Sequence, residues 1–231
     1  MDAIDSSTQN TAIKSRMKRR QALPGGTSMM ASGAVFRFIV TSEHMHTMER
    51  LQPLKPEELS PEQREVYDAI ASGPRGQVRG PLAMWLHRAG LASRAQALGQ
   101  YCRYDSSLPP RLSELAILVM ARTWMAEFEW WAHKPIALKA GVSSEVVEAI
   151  RVGKTPEFSL PDEAVVYDFI NELHATRNVS DALYQRALDV LGKERVVDLV
   201  GVAGYYTLIS MTINVFGVVP PDGSAPELQK A

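Results

Sequence analysis

The sequence predicts an all-α fold, and three observations carry that prediction. Apolar residues recur at spacings of three and four through most of the chain after residue 60. The β-branched residues follow the same helical spacing, so no segment shows the alternation of a strand. Prolines and glycines interrupt the pattern at intervals that fit helix starts and ends.

The first predicted helix has the clearest start. Ser60 is a suitable N-cap, Pro61 fits the first helical position and Gln63 can complete a capping box, while Gly73 fits the end. A loop rich in glycine and arginine follows. The next predicted helices are 82–88, 91–104, 111–122, a helix with His133 that ends at Ala140 before Gly141, and a helix around 146–150 capped by Ser143.

After a linker with Pro156 and Pro161, helical faces are predicted at 165–173 and 183–191, followed by a strongly apolar helix at 194–215. Gly201 and Gly204 in this last helix predict close helix packing or a subunit interface. We interpret residues 48–219 as one domain of pseudo-repeated helix pairs, with residues 220–231 as a tail.

The first 47 residues differ in character from the rest of the chain. Polar residues dominate as far as Lys14, and a basic patch with Arg19-Arg20 leads into a stretch of small and apolar residues. Two interpretations stay open: a disordered extension, or a twin-arginine export signal. We expect a cytoplasmic protein under the first and a periplasmic one under the second.

Composition excludes several classes of function. Of the 231 residues, 45% are apolar, which suits a compact domain. The net charge of -1 gives no broad positive electrostatic field that would attract nucleic acid. The single cysteine, Cys102, excludes an intrachain disulfide and a cysteine zinc cluster, and we expect it in the core. No apolar run of eighteen residues predicts a membrane span, because Asp198, Asn214 and glycines interrupt the last helix.

Glu114, Glu129 and His133 stand in a largely apolar helical region. If the chain is helical after Trp124, Glu129 and His133 share a face one turn apart, together with Ala126. A carboxylate beside an imidazole can fix its tautomer and raise its pKa, which suits a general acid or base. The structural alternative is a buried histidine, with Glu114 or Glu129 paired to Arg122.

The same region resembles the carboxymuconolactone decarboxylase family. The resemblance rests on Glu114, Glu129-Trp-Trp-Ala-His133 and Pro135-Ile-Ala-Leu-Lys-Ala-Gly-Val-Ser143, and it extends over roughly residues 48–216. The family includes alkylhydroperoxidase D enzymes, whose pattern places Cys-x-x-Cys between the glutamate and the histidine. Ala126 and Glu129 occupy those cysteine positions here, so the resemblance favours the decarboxylase branch over the thiol peroxidase branch.

The resemblance implies an alkylhydroperoxidase D-like helical bundle and a cofactor-free decarboxylation of a small carboxylated lactone from aromatic catabolism. His133 would transfer the proton, and Glu129 and Glu114 would complete the catalytic group. Candidates for binding the acid substrate are Arg75, Arg79, Arg122 and Trp130. Relatives assemble as homo-oligomers, so a trimer or hexamer is expected, without nucleic acid or membrane as a partner.

Other functions remain open on the sequence. One is a peroxidase-like member of the same fold, and another is a helical oligomer without catalysis. Glu114, Glu129 and His133 could in principle ligate iron or zinc, but His87 and His174 lie in separate segments without ligand spacing, so no metal is expected.

Overall fold

The computed structural model describes residues 50–228, and within them it contains nine α-helices and no strand. The all-α prediction is therefore confirmed. The helices are α1 Pro61–Ser72, α2 Pro81–Trp85, α3 Ala89–Gln100, α4 Pro110–Trp124, α5 Glu127–Ala140, α6 Ser144–Arg151, α7 Pro161–Thr176, α8 Asp181–Leu191 and α9 Lys193–Phe216. The predicted extension or export signal at residues 1–47, with Arg19-Arg20, lies outside the described residues.

The predicted helix ends are found where capping residues mark them. The Ser60 hydroxyl accepts from the Gln63 backbone N–H, and the Gln63 side chain accepts from the Ser60 N–H, which completes the capping box of α1. The Ser143 hydroxyl caps α6 by accepting the Val146 backbone N–H, and Gly141 ends α5 with a φ of 102°. The predicted helix 91–104 differs, because α3 ends at Gln100 and a π-helical segment spans Tyr101–Asp105.

Helix α4 is the centre of the molecule. It packs against α5, α6, α7 and α9, and every residue from Leu112 to Ala121 is buried. Met125, in the left-handed conformation with a φ of 52°, and Ala126 then reverse the chain directly into α5. This tight helical hairpin lays α5 back along α4 and brings Glu114 opposite His133.

Helix α9 requires two corrections. Among residues 50–228, a Cβ atom added at Gly201 or Gly204 would meet no atom within 4 Å, so close packing against a described helix is not the reason for these glycines. By length and composition, α9 is also apolar enough to cross a membrane, because the interrupting polar residues are few; it is the one such helix among residues 50–228. However, 56% of its most apolar stretch is buried in the protein, and a core helix meets the same criteria.

The described part of the predicted tail lies against α5. The Glu127 carboxylate accepts the backbone N–H groups of Glu227 at 3.0 Å and Leu228 at 2.9 Å, and the Leu228 side chain is buried. Asp222 accepts from the indole N–H of Trp131 at 2.8 Å. These bonds hold residues 222–228 against the first turns of α5.

Candidate functional site

The three polar residues singled out from the sequence form one buried cluster. The Nδ1 atom of His133 lies 2.7 Å from Oε2 of Glu114, and its Nε2 atom lies 3.0 Å from Oε1 of Glu129. Glu114 comes from α4 and the other two from α5, so the hairpin between these helices assembles the cluster. All three side chains are at most 6% exposed, and both nitrogens of the ring are held by carboxylates.

The environment of His133 favours the imidazolium form. Burial by itself lowers its pKa, but the charge of Glu129 and the hydrogen bonds to Glu114 and Glu129 outweigh burial and raise the pKa to about 9. The ring is therefore protonated at neutral pH and donates from both nitrogens. It can act as an acid in that state and becomes a base only after giving up a proton.

Two members of the cluster, His133 and Glu129, line a cavity of about 190 Å³. No described residue donates to the second carboxylate oxygen of Glu129. Three arginines, Arg75, Arg79 and Arg103, line the same cavity, and none of them forms an ion pair with a carboxylate in the described part of the chain. The cavity therefore presents unpaired positive charge to a small anion.

Two tyrosines of α9 complete the wall. The Tyr206 ring meets the His133 ring edge to face, with centroids 5.4 Å apart. Burial and the charge of Glu129 raise the pKa of Tyr206 well above its ordinary value, so its hydroxyl stays a donor. Burial also raises the pKa of Tyr205 to about 12, although nearby Arg75, which donates to its hydroxyl at 3.3 Å, acts in the opposite direction.

Gly99 makes room for the pair of Arg75 and Tyr205. A Cβ atom at this position of α3 would collide with the Tyr205 hydroxyl and with the Arg75 guanidinium. Glycine weakens a helix interior relative to alanine, so its place here fits the close approach of these side chains.

The structure separates the predicted site residues into two groups. Glu114, Glu129 and His133 come together, and Arg75 and Arg79 lie on the same cavity. Arg122 lies elsewhere, against Gly153 and Met125 on a different cavity, with Lys154. Trp130 lies behind the wall, fully buried, and donates to Glu227 at 3.2 Å.

Sequence reasoning missed Arg103, Tyr205 and Tyr206. Arg103 lies in the π-helical segment, which apolar periodicity cannot distinguish from a continuing α-helix. The two tyrosines lie in the most apolar helix, where the sequence predicts that aromatic residues belong to the hydrophobic core. The signal available in the sequence was a pair of adjacent tyrosines in this apolar helix, since buried hydroxyl groups usually need hydrogen-bond partners.

Comparison with solved structures defines the class of fold. A protein from Ralstonia eutropha JMP134, titled an alkylhydroperoxidase AhpD core and an uncharacterized peroxidase-related protein, matches with a TM-score of 0.62 at 15% identity, covering 75% of this chain and 92% of that chain. An uncharacterized peroxidase-related protein from Silicibacter sp. TM1040 matches with a TM-score of 0.59 at 12% identity, covering 74% and 94%. The predicted alkylhydroperoxidase D-like helical fold is confirmed.

A comparison with family models matches part of the sequence. The model of the Carboxymuconolactone decarboxylase family matches residues 89–160, which contain the whole α4–α5 hairpin and its three site residues. Residues 89–160 are therefore similar to this family, and over them the resemblance drawn from the sequence is confirmed. A search of curated proteins found no match.

Proposed function

We propose that the protein is a cofactor-free carboxy-lyase that acts on a small carboxylated lactone, or a similar acid, from aromatic catabolism. The observation that supports it is the His133 ring, held between Glu114 and Glu129 on a cavity with three arginines that form no ion pair in residues 50–228. An acid, a positive wall and a buried position are the features that a decarboxylation of an anion requires.

In this proposal the carbon–carboxylate bond of the substrate breaks and CO₂ leaves. The electron pair of that bond delocalises into the unsaturated lactone, which gives a dienolate. His133 then delivers the proton from Nε2 to carbon, on the side where Glu129 also lines the cavity, and solvent protons restore the imidazolium. Glu114 holds Nδ1 and fixes the orientation of the ring.

The oxygen of the dienolate needs a donor that stays protonated. The Tyr206 hydroxyl fits this role, because it lies on the same cavity and its pKa is raised well above the ordinary value of 10. Arg75 and Arg79 are the candidates from the sequence for the substrate carboxylate, and both line this cavity. Arg122 and Trp130 have no part in the proposal, because they lie away from the cavity.

Assay of 4-carboxymuconolactone tests the proposal. We expect the purified protein to release one CO₂ for each lactone consumed, without added metal or cofactor. The variant Tyr206→Phe tests the proposed donor, because it keeps the ring against His133 but removes the hydroxyl. We expect it to react more slowly than the unmodified protein. Absence of CO₂ release across a panel of carboxylated unsaturated lactones would remove the support for this reaction.

A thiol peroxidase is the rival function, because the two similar structures named above are described as peroxidase-related. We predict no dithiol-dependent turnover of hydroperoxides. Cys102 is the free cysteine of the described chain and is buried, and burial raises its pKa to about 11, so little thiolate forms. The measurement is peroxide consumption with a dithiol reductant, and activity that Cys102→Ser abolishes would contradict the prediction.

A homo-oligomer is part of the proposal, with α9 as the contact surface. Apolar or small residues recur on one line of α9 at spacings of four and three: Val197, Gly201, Gly204, Leu208, Met211 and Val215. Val197 is 71% exposed and Val215 is 55% exposed, and the glycines have open space above them. A second copy can cover this line by close helix packing.

We predict that the protein forms a trimer or hexamer and that Val197→Glu with Val215→Glu produces smaller species. Charges on this line would be desolvated in the interface, whereas both side chains are exposed in the protomer, so folding is retained. The measurement is light scattering at micromolar concentration. Val190→Glu on α8, also at an exposed valine, is the control. A monomeric unmodified protein would contradict the prediction.

A further inference from the structure

The π-helical segment Tyr101–Asp105 supplies one wall of the cavity. Arg103 and Tyr104 both lie on it and both line the cavity with His133. A π-helical turn contains an extra residue relative to an α-helix, and such turns are frequent at functional sites. The extra residue changes which side chains face the cavity, and here Arg103 and Tyr104 are the side chains that line it.

Arg79 and Arg103 have no hydrogen bond or ion pair in residues 50–228, and Arg103 is the less exposed of the two. Arg75 already donates to Tyr205, and the buried Arg75 Nε atom faces no acceptor. Arg79 is exposed and stacks over the Trp131 ring, with 5.4 Å from its guanidinium carbon to the ring centroid. Arg103 is half-buried and lies 5.3 Å from the Tyr104 ring centroid, and in residues 50–228 it has no hydrogen bond or ion pair.

The charge of Arg103 acts on the reacting end of the cavity. It lies close enough to Tyr206 to oppose, in part, the rise in the pKa of that hydroxyl. Tyr206 in turn contacts His133. An anionic group that binds Arg103 therefore lies within reach of the side chains proposed to carry the chemistry.

Asp198 holds the π-helical segment from outside the cavity. Its carboxylate accepts the Tyr101 hydroxyl at 2.7 Å, and it accepts both the backbone N–H and the hydroxyl of Ser107, at 2.7 and 2.6 Å. These bonds tie the residues that flank Arg103 to α9. Asp198 itself lies on a separate surface cavity with Tyr101 and Ser107, so it does not contact a ligand beside His133.

We propose that Arg103 selects an anionic group on the substrate and that Asp198 is a positioning residue, which holds the π-helical segment so that Arg103 faces the cavity. The proposal rests on the proposed function for the location of the substrate beside His133. The ligand class is a small carboxylate, since the Arg103 guanidinium has no hydrogen bond or ion pair within residues 50–228 and can bind such a group by charge-assisted hydrogen bonds.

Two probes of the same shape test the selection by charge. Cyclopentanecarboxylate carries the charge, and cyclopentanecarboxamide does not, and calorimetry measures the affinity of each at low salt. We expect the unmodified protein to prefer the acid by about tenfold or more, the usual worth of a hydrogen bond to a charged group. Arg103→Gln should reduce that preference several-fold, because Arg75 and Arg79 still line the cavity, and Arg103→Lys should keep more of it.

The control for Arg103 is Arg94→Gln. Arg94 is exposed on α3 and donates to the Gly90 carbonyl at 2.8 Å, so its loss should leave both affinities unchanged. Failure of the acid to bind, or equal affinity of the unmodified protein for the two probes, overturns the proposal. An unchanged preference for the acid in Arg103→Gln overturns it as well.

A double-mutant cycle tests the role of Asp198. Asp198→Asn should weaken binding of the acid more than of the amide, and it should add no further loss to Arg103→Gln, because it acts through Arg103. Tyr101→Phe is the milder second variant, since it removes one hydroxyl from a ring that is 47% exposed. Equal losses for both probes, or full additivity with Arg103→Gln, would show a structural role alone.

Failure of this proposal and failure of the proposed function are distinguishable. The two probes are not decarboxylated, so their affinities do not depend on turnover. If the protein selects the acid through Arg103 but turns over no lactone, the role of Arg103 in binding stands and the proposed decarboxylation is wrong. If Arg103→Gln turns over the lactone at the normal rate and the two probes bind equally well, the proposed decarboxylation stands and the role of Arg103 in binding is wrong.

Discussion

His133→Gln is expected to lower kcat/KM for 4-carboxymuconolactone by about a hundredfold or more, the usual contribution of a positioned general acid. The reason is that His133 is the protonated group at the end of the cavity, with a pKa raised to about 9. Glutamine can still donate one hydrogen bond to Glu114 or Glu129, so the hairpin should keep its fold. Initial rates of CO₂ release and circular dichroism measure the two effects.

Two variants sharpen this result. Glu129→Gln keeps the ring but removes a negative charge that raises the pKa of His133. The rate should fall less, and its decline at alkaline pH should begin at a lower pH, because the imidazolium is lost earlier. His87→Gln is the distant control, since the His87 ring bonds to the Gln52 carbonyl instead. A near-normal rate in His133→Gln with an unchanged pH profile would make His133 structural.

Raising the pH from 7 to 10 is expected to destabilise the unmodified protein through His133. The folded pKa is about 9 and the ordinary value is 6.5, so this stabilisation is fully present below about pH 6.5 and is lost as the pH rises through 9. The shift corresponds to about 3 kcal/mol at 1.36 kcal/mol for each pKa unit. Urea unfolding at several pH values measures the free energy of unfolding.

The same titration of His133→Gln is the control, because the other titrating groups stay in place. At pH 7 we expect this variant to be less stable by roughly 3 kcal/mol or more, since it leaves Glu114 and Glu129 buried without a cation between them. Its stability should then change less between pH 7 and 10. Adding Glu114→Gln should recover part of the loss at pH 7. Parallel pH curves for both proteins would contradict the assignment of the raised pKa.

Helix boundaries were the most predictable part of the fold, because their signals are local. The capping box of Ser60 and Gln63, the Ser143 cap and Gly141 depend on neighbouring residues in the chain, so the sequence contains the whole cause. The π-helical segment after Gln100 could not be predicted in the same way. Asp198, about ninety residues away, bonds to both sides of it, and periodicity carries no trace of that contact.

Within the candidate site, spacing determined that Glu129 and His133 share a helix face, and Glu114 was singled out with them as a carboxylate in an apolar helical region. Only the tertiary structure decided which arginines surround them. Arg122 lies two helical turns beyond Glu114 and faces another cavity, whereas Arg103 and Tyr206 come from distant segments to the one beside His133. The 3.6-residue period of a helix fixes the direction of each side chain relative to the helix axis. The packing of α3, α5 and α9 against one another decides which side chains meet.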